Sequence, residues 1–327
     1  MKKNITESKR PALHMLNTRV NKILICGLYF SGSGALIDLL SEYNSVAVVP
    51  GEFDEFRRAG MIGDHIEGRI GDDYRCKVKS TIFNFMQPLY GHSRPRLINI
   101  LRYMFTMSPL RFAKKRYSQV YKRIKLIEDV KVNIANSEIR EQKIVAASEW
   151  IKDIVRHYSR GKDNLVFDQP IFLKQHKGIW PQVFAPCKLV IVYRDPRDQI
   201  ADLIKRNLLF SDILTPTHGL LNIYGAHRLG AIKYEIDMGL ARLRSARELQ
   251  SEFGTDRVML LKFEEIVMNY DKIKEQVESF LALSSDDHVH KKIRFDPNIS
   301  MRNIGIYNQI LSKDELRLFD EILSFYE

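Results

Sequence analysis

Lys22-Ile23-Leu24-Ile25-Cys26-Gly27, running on into Leu28-Tyr29-Phe30-Ser31-Gly32-Ser33-Gly34-Ala35-Leu36, is the stretch on which the fold turns. From Ile23 on, its first part is a short continuous apolar run, the pattern of a strand buried on both faces of a parallel sheet. A turn of small residues follows, and then Ala35, Leu36, Leu39, Leu40 and Tyr43 recur at helical spacing. A second apolar run covers residues 46–49. Strand, glycine turn, helix and strand predict the opening βαβ of a doubly wound α/β sheet.

Three further apolar runs, each ending abruptly in polar residues, extend the pattern. Residues 164–167 enter Asp168, residues 188–193 enter Arg194-Asp195-Pro196, and residues 257–261 enter Lys262-Phe263-Glu264. In an open α/β sheet, ligands sit outside the carboxyl ends of the strands, so the chemistry is expected there. Helices are predicted between them. Ile144, Ala147, Ile151, Ile154 and Tyr158 form one stripe, residues 222–253 a long helix stopped by Gly254, and residues 271–283 another. Ser312-x-x-Glu315 is a capping box that opens a last helix with Leu316, Phe319, Ile322 and Leu323 inward. The organisation expected is a basic N-terminal segment, residues 1–21, then one unit over 22–327. A helical insertion of about residues 55–163 follows the second strand, because that stretch is too long for a simple crossover.

Composition narrows the function classes. The 327 residues are 45 % hydrophobic, enough for a large core, which excludes a wholly disordered chain. Cys26, Cys76 and Cys187 are far apart and odd in number, so neither a disulfide framework nor a zinc motif is predicted, and no metal is expected. A net charge of +11 favours polyanionic partners: nucleic acid, anionic membrane, or phosphate- and sulfate-bearing ligands. With no apolar leader and no spanning run, a cytoplasmic protein is expected. Residues 94–125 hold ten Lys or Arg and no Asp or Glu, interleaved with aromatic and Met side chains. Three roles fit that stretch: a solvated helical face, a surface resting on anionic lipid at the inner membrane face, or a wall of a pocket for an apolar alcohol.

The glycine turn has the makings of an anion site. Gly32 and Gly34 allow close approach, free N–H groups and the helix dipole attract negative charge, and Ser31 and Ser33 add hydroxyls. A Walker loop needs Lys where Ser33 stands, which weakens a nucleotide kinase or NTPase. A dinucleotide fingerprint needs a third glycine where Ile37 stands. Farther on, Arg194 lies at a strand's carboxyl end, beside a helix that Asp195 caps and Pro196 opens. A guanidinium there suits a two-pronged grip on phosphate.

Together these motifs resemble the sulfotransferases that use 3′-phosphoadenosine 5′-phosphosulfate (PAPS) and release the 3′,5′-bisphosphate (PAP). Tyr29-Phe30-Ser31-Gly32-Ser33-Gly34-Ala35-Leu36 is similar to the family's loop for the 5′-phosphosulfate. Arg194-Asp195-Pro196-Arg197-Asp198 is similar to its 3′-phosphate motif. Lys262-Phe263-Glu264-Glu265-Ile266 and Phe280-Leu281-Ala282-Leu283 look like two later family patterns. Ser300, Asn303, Ile304 and Gly305 fall where bacterial members carry a late cofactor-side loop. The resemblance implies a P-loop-type parallel sheet with helices on both faces, and sulfonate transfer to a hydroxyl. The acceptor is then a small-molecule alcohol such as a sterol or lipid, or a lipid-linked or surface glycan. It implies cofactor contacts from Phe30, Ser31, Gly32, Ser33, Gly34, Ala35, Arg194, Asp202, Ser300, Asn303, Ile304 and Gly305, and no nucleic-acid partner.

Two positions depart from the family. Phe30 replaces its loop Lys or Arg, and Asp202 replaces the serine expected eight residues after Arg194. Asp202 is expected to turn away or to pair with Arg197 or Arg206, and Arg57, Arg58, Lys174 and Lys177 are candidates for the missing charge. For the base that takes the hydroxyl proton, Glu52 leads, because it follows the second strand through Pro50-Gly51 and glycan sulfotransferases use a glutamate in this region. Asp168, at another strand end, is the alternative, ahead of His65, His92 and His176. The rivals from other classes are a kinase or NTPase and a non-enzymatic binder of nucleic acid or membrane.

Overall fold

The computed structural model describes residues 20–69, 109–210, 223–225 and 227–327, with backbone alone for residues 109–121. Five parallel strands form one sheet in the order β2-β3-β1-β4-β5. They are β1 (Asn21–Gly27), β2 (Val46–Glu52), β3 (Asn164–Asp168), β4 (Cys187–Tyr193) and β5 (Val258–Lys262). The α/β fold is therefore as expected, but β3 separates β1 from β2. The helices are α1 (Ser33–Leu40), α2 (Asp54–Arg57), α3 (Ile62–Glu67), α4 (Pro109–Ala135), α5 (Arg140–Tyr158), α6 (Trp180–Val183), α7 (Pro196–Lys205), α8 (Arg228–Phe253), α9 (Phe263–Met268) and α10 (Tyr270–Leu281). Short helices α11 (Pro297–Ser300), α12 (Tyr307–Ile310) and α13 (Lys313–Arg317) close the chain.

Alternate residues of each strand enter two separate cores, as the period of a pleated strand requires. Leu24 and Cys26 of β1 join Leu189 and Ile191 of β4 in one core, with Phe53 just after β2, Trp150 and Ile154 of α5 and Leu243 of α8. Ile23, Ile25, Val190 and Val192 enter the other, against Leu36, Leu39 and Leu40 of α1 and Ile273 and Val277 of α10. Helices on both faces explain why these strands read as unbroken apolar runs.

Three expectations change. β2 does not stop at Val49: it runs on to Glu52 through a register shift, with Gly51 at φ 73°, and Glu52 pairs with Asp168 of β3. The capping box at Ser312 and Glu315 forms in both directions, but α13 is only five residues long. Phe319 is nonetheless buried, carried by turns and a 3-10 segment rather than by a helix. Within the basic stretch, Lys122 and Lys125 are exposed, whereas Arg123 is buried and ion-paired with buried Glu55. Arg123 Nη1 also donates to the Pro50 carbonyl at 2.7 Å, so α4 holds the irregular end of β2. Breaking such a buried pair costs about 3–5 kcal/mol. Residues 1–19 and 94–108, with His92 and Cys76, lie outside the described residues.

Candidate active site

The loop after β1 is held by side chains from three other segments. Gln199 of α7 donates to the carbonyls of Leu28 (2.8 Å) and Tyr29. Gln169, just after β3, accepts from Gly27 N–H at 3.1 Å and donates to Ser33 Oγ at 3.1 Å. Phe263, at the start of α9, lies against Gly32, where a Cβ would come within 2.4 Å of the ring. Gly32 has φ 81°, a conformation that only glycine adopts without cost. α1 begins immediately after it with no acidic residue in its first turn, so no side chain of that turn opposes an anion at its N-terminus. Ser31 is buried, and its Oγ has no hydrogen-bond partner among the described residues.

Arg194 leaves β4 and is 4 % exposed. Its Nη1 lies 3.4 Å from the Phe30 carbonyl and 3.4 Å from Asp202 Oδ2, its Nη2 donates to the Asn303 carbonyl, and its guanidinium faces the Phe263 ring at 5.3 Å. Asp195 caps α7 as expected, accepting from Arg197 N–H at 2.9 Å. It also holds the Arg197 guanidinium, so Asp202 pairs with Arg194 and Arg206, not with Arg197. Asp198, 1 % exposed, accepts from the N–H groups of Gly305 (2.8 Å) and Tyr307 (3.1 Å) and ties the late loop to α7.

These parts enclose a cavity of about 400 Å³. Of the residues expected at the cofactor, Phe30, Gly32, Gly34, Ala35, Arg194, Asp202, Ser300 and Asn303 line it. The other four do not. Ser31 is buried, Ser33 is bonded to Gln169, Ile304 leans on the α1/α10 core, and the Gly305 N–H is bonded to Asp198. None of the four cations suggested for the missing charge lines the cavity. Arg57 and Arg58 pair with Asp54, and Lys177 sits 3.6 Å from Glu248. The cavity's cations are Arg194, Arg206, Lys292 and Arg294.

Lys292 and Arg294 were invisible in the sequence because a distant buried residue presents them. Glu42, fully buried after α1, accepts from the N–H groups of Lys292 (3.2 Å), Arg294 (2.8 Å) and Phe295 (3.0 Å) and lies 2.7 Å from His288 Nε2. Burial alone would raise its pKa, but the bonds from His288 and these three N–H groups outweigh it and hold the carboxyl below its ordinary value.

At the ends of β2 and β3 the charge is negative. Glu52 is half-exposed and ion-paired with buried Arg57, which also holds Asp54. Asp168, its register partner, carries a carboxyl pushed up to about 7 by burial, with Glu52 and Asp54 adding to the rise and Arg57 opposing it. Because the next residue, Gln169, clamps the phosphate-type loop, Asp168 is one residue from that loop's support. Glu52 and Asp168 do not line the cavity, and neither do His65 and His176. His176 is buried between Glu67 (2.9 Å) and Asp64 (3.5 Å), an arrangement local to α3 and the loop after β3.

Several solved structures have a similar shape. A sulfotransferase domain from the Synechococcus olefin synthase is 13 % identical, covering 93 % of this chain and 94 % of that one at a TM-score of 0.49. A sulfotransferase domain from the curacin biosynthetic pathway is 12 % identical, covering 93 % and 98 %, at 0.48. A sulfotransferase from Alicyclobacillus acidocaldarius is 14 % identical, covering 94 % and 99 %, at 0.39. All three of these are sulfotransferases or sulfotransferase domains. At such identity and overlap the likeness decides nothing about chemistry, which rests on the residues above. No protein-family model matches the chain, and no curated protein does. Among the described residues no helix is long and apolar enough to cross a membrane.

Proposed function

We propose that this chain is a sulfotransferase that moves a sulfonate group from PAPS to the hydroxyl of a small-molecule or glycan acceptor and releases PAP. What carries the proposal is the 400 Å³ cavity, in which an anion-attracting glycine loop faces Arg194. Its volume suits a nucleotide-sized ligand. Two separate anion-binding parts in one cavity suit a nucleotide phosphorylated at both ends of its ribose better than a linear triphosphate. The close approach of the Phe263 ring to Gly32 fixes the loop against which a phosphate group would sit. An NTPase is disfavoured because Ser33, at the position of the Walker lysine, is turned back to Gln169.

In this reaction the donor supplies an activated sulfonate. The sulfur–oxygen bond to the 5′-phosphate breaks as a sulfur–oxygen bond to the acceptor forms. The acceptor's proton must go to a base, and a base with a pKa near neutrality serves best. Asp168, at about 7, fits that role better than Glu52, whose carboxylate is engaged by Arg57. We therefore assign proton removal to Asp168, with Glu52 raising its basicity. The loop N–H groups and the cavity's cations take up the charge that develops on the leaving phosphate.

Calorimetry tests the donor. PAP should bind at least about 10-fold tighter than AMP or ATP, with no need of magnesium, a difference of about 1.4 kcal/mol. Arg194→Ala should weaken PAP and leave AMP little changed. A preference for ATP that requires magnesium overturns the proposal.

A further inference from the structure

The loop from Gly27 to Leu36 contains no Lys or Arg, so it offers no cationic side chain to a phosphate that gains charge as sulfonate leaves. We infer that Arg206, at the end of α7, supplies that charge, held in place by Phe30 and Asp202. The inference rests on the donor assignment made above and deepens it.

Both residues that depart from the resembled pattern touch this one side chain. The Arg206 guanidinium faces the Phe30 ring at 5.6 Å from its centroid, a cation–π arrangement. Phe30 is therefore not an empty substitution in the loop: its ring is the platform on which a cation from another element rests. Asp202, one helical turn before Arg206, accepts from its Nε at 2.9 Å. The other carboxylate oxygen of Asp202 lies 3.4 Å from Arg194 Nη1. A lone aspartate facing a phosphate would repel it, but between two guanidiniums its charge is more than neutralised. Asp202 thus works as a spacer that sets Arg206 relative to Arg194. All three residues and Phe30 line the same cavity. The Arg206 side chain is 58 % exposed, so it can reach a ligand without leaving a core.

Arg294 and Lys292 also line the cavity, but their environments differ. Burial raises the pKa of Asp38, and Arg294 lies close enough to oppose that rise, while Lys292 Nζ sits over the Tyr270 ring at 5.6 Å. Of these three, Arg206 is the one whose guanidinium faces a side chain of the phosphate loop.

Calorimetry with two nucleotides isolates the claim. PAP carries both phosphates, whereas adenosine 3′-monophosphate lacks the 5′-phosphate. Arg206→Ala is expected to weaken PAP by about 10-fold and the 3′-monophosphate by less than about 2-fold. Arg206→Ala combined with Phe30→Lys should recover most of the lost PAP affinity, because a lysine at position 30 returns the charge from the loop. Circular dichroism and melting temperature confirm that each variant folds, as expected for an exposed side chain at a helix end. If Arg206→Ala leaves PAP affinity unchanged, or weakens both nucleotides alike, or Phe30→Lys gives no recovery, Arg206 does not serve the 5′-phosphate. Should the unaltered protein bind PAP no better than adenosine, the donor assignment falls as well, and the two failures are thereby told apart.

Discussion

The carboxyl edge of the sheet has two halves built on opposite plans. Beyond β1, β4 and β5 the cavity is lined by Arg194, Arg206, Lys292 and Arg294, from two stretches far apart in the chain, with Asp38, Asp202 and Asp296 among them. Each cation is positioned by a group on another segment or another turn, such as the Asn303 carbonyl at Arg194 or buried Glu42 beneath Lys292 and Arg294. Beyond β2 and β3 the charge is negative and mostly local, with Glu52, Asp54 and Arg57 within six residues of one another and only Asp168 coming from elsewhere. On the proposed function, the contrast separates two tasks. An anionic donor needs cations fixed from several sides, because a lone buried cation is costly unless it is paired. Proton removal needs one carboxylate whose charge is made expensive, which burial and like-charged neighbours achieve.

The strongest way to break this separation is to neutralise the carboxylate half. Asp168→Asn should cut transfer from radiolabelled donor by about 10²-fold or more, equivalent to about 2.7 kcal/mol of barrier, with PAP affinity held within about 2-fold. If PAP affinity falls as far as turnover, the halves are one site and the division is wrong.

A smaller effect probes the cation half without touching a charge. In Gly32→Ala the new methyl meets the Phe263 ring in a backbone conformation that costs an L-residue about 1–3 kcal/mol. Loop and ring must shift, so PAP should bind about 10-fold more weakly and the melting temperature should drop. Unchanged PAP binding would mean that the loop does not contact the ligand.

The smallest effect sharpens the carboxylate half by pH. On the proposed assignment of the base to Asp168, which must be deprotonated to act, kcat/KM should rise with pH through about 7. In Glu52→Gln that rise should move to lower pH, since Glu52 helps to keep the Asp168 pKa high. Stability follows the same group. The folded chain holds the Asp168 proton more tightly than the unfolded chain, whose value is near 3.8, so stability declines as pH rises from about 4 to about 7 and then levels. Asp168→Asn should remove that decline in chemical denaturation curves; a pH profile identical to that of the unaltered protein would show that Asp168 titrates normally.

The strands, the glycine loop and the capped α7 were legible because each is written in neighbouring residues. Apolar runs end at Gly27, Asp168, Arg194 and Lys262, and Asp195-Pro196 announces a helix start. Those signals depend on backbone geometry over a few residues, and the chain obeys them. Of the twelve residues that the resemblance implied at the cofactor, eight line the cavity. Ser33 faces away from the cavity because Gln169, 136 residues later, takes its hydroxyl, and no local pattern encodes that bond.

What the sequence determined by itself, then, was the α/β class and the places where strands hand over to polar loops, since alternation, run length and turn chemistry are short-range properties. Only the tertiary structure decided which charges meet. The insertion of β3 between β1 and β2 brings Asp168 into register with Glu52 and beside the loop clamp. Glu42, buried behind α1, turns Lys292 and Arg294 toward the cavity, and the turn of α7 lays Arg206 on Phe30. Electrostatic interaction depends on distance and burial, not on separation along the chain, and both are set only when the sheet is assembled.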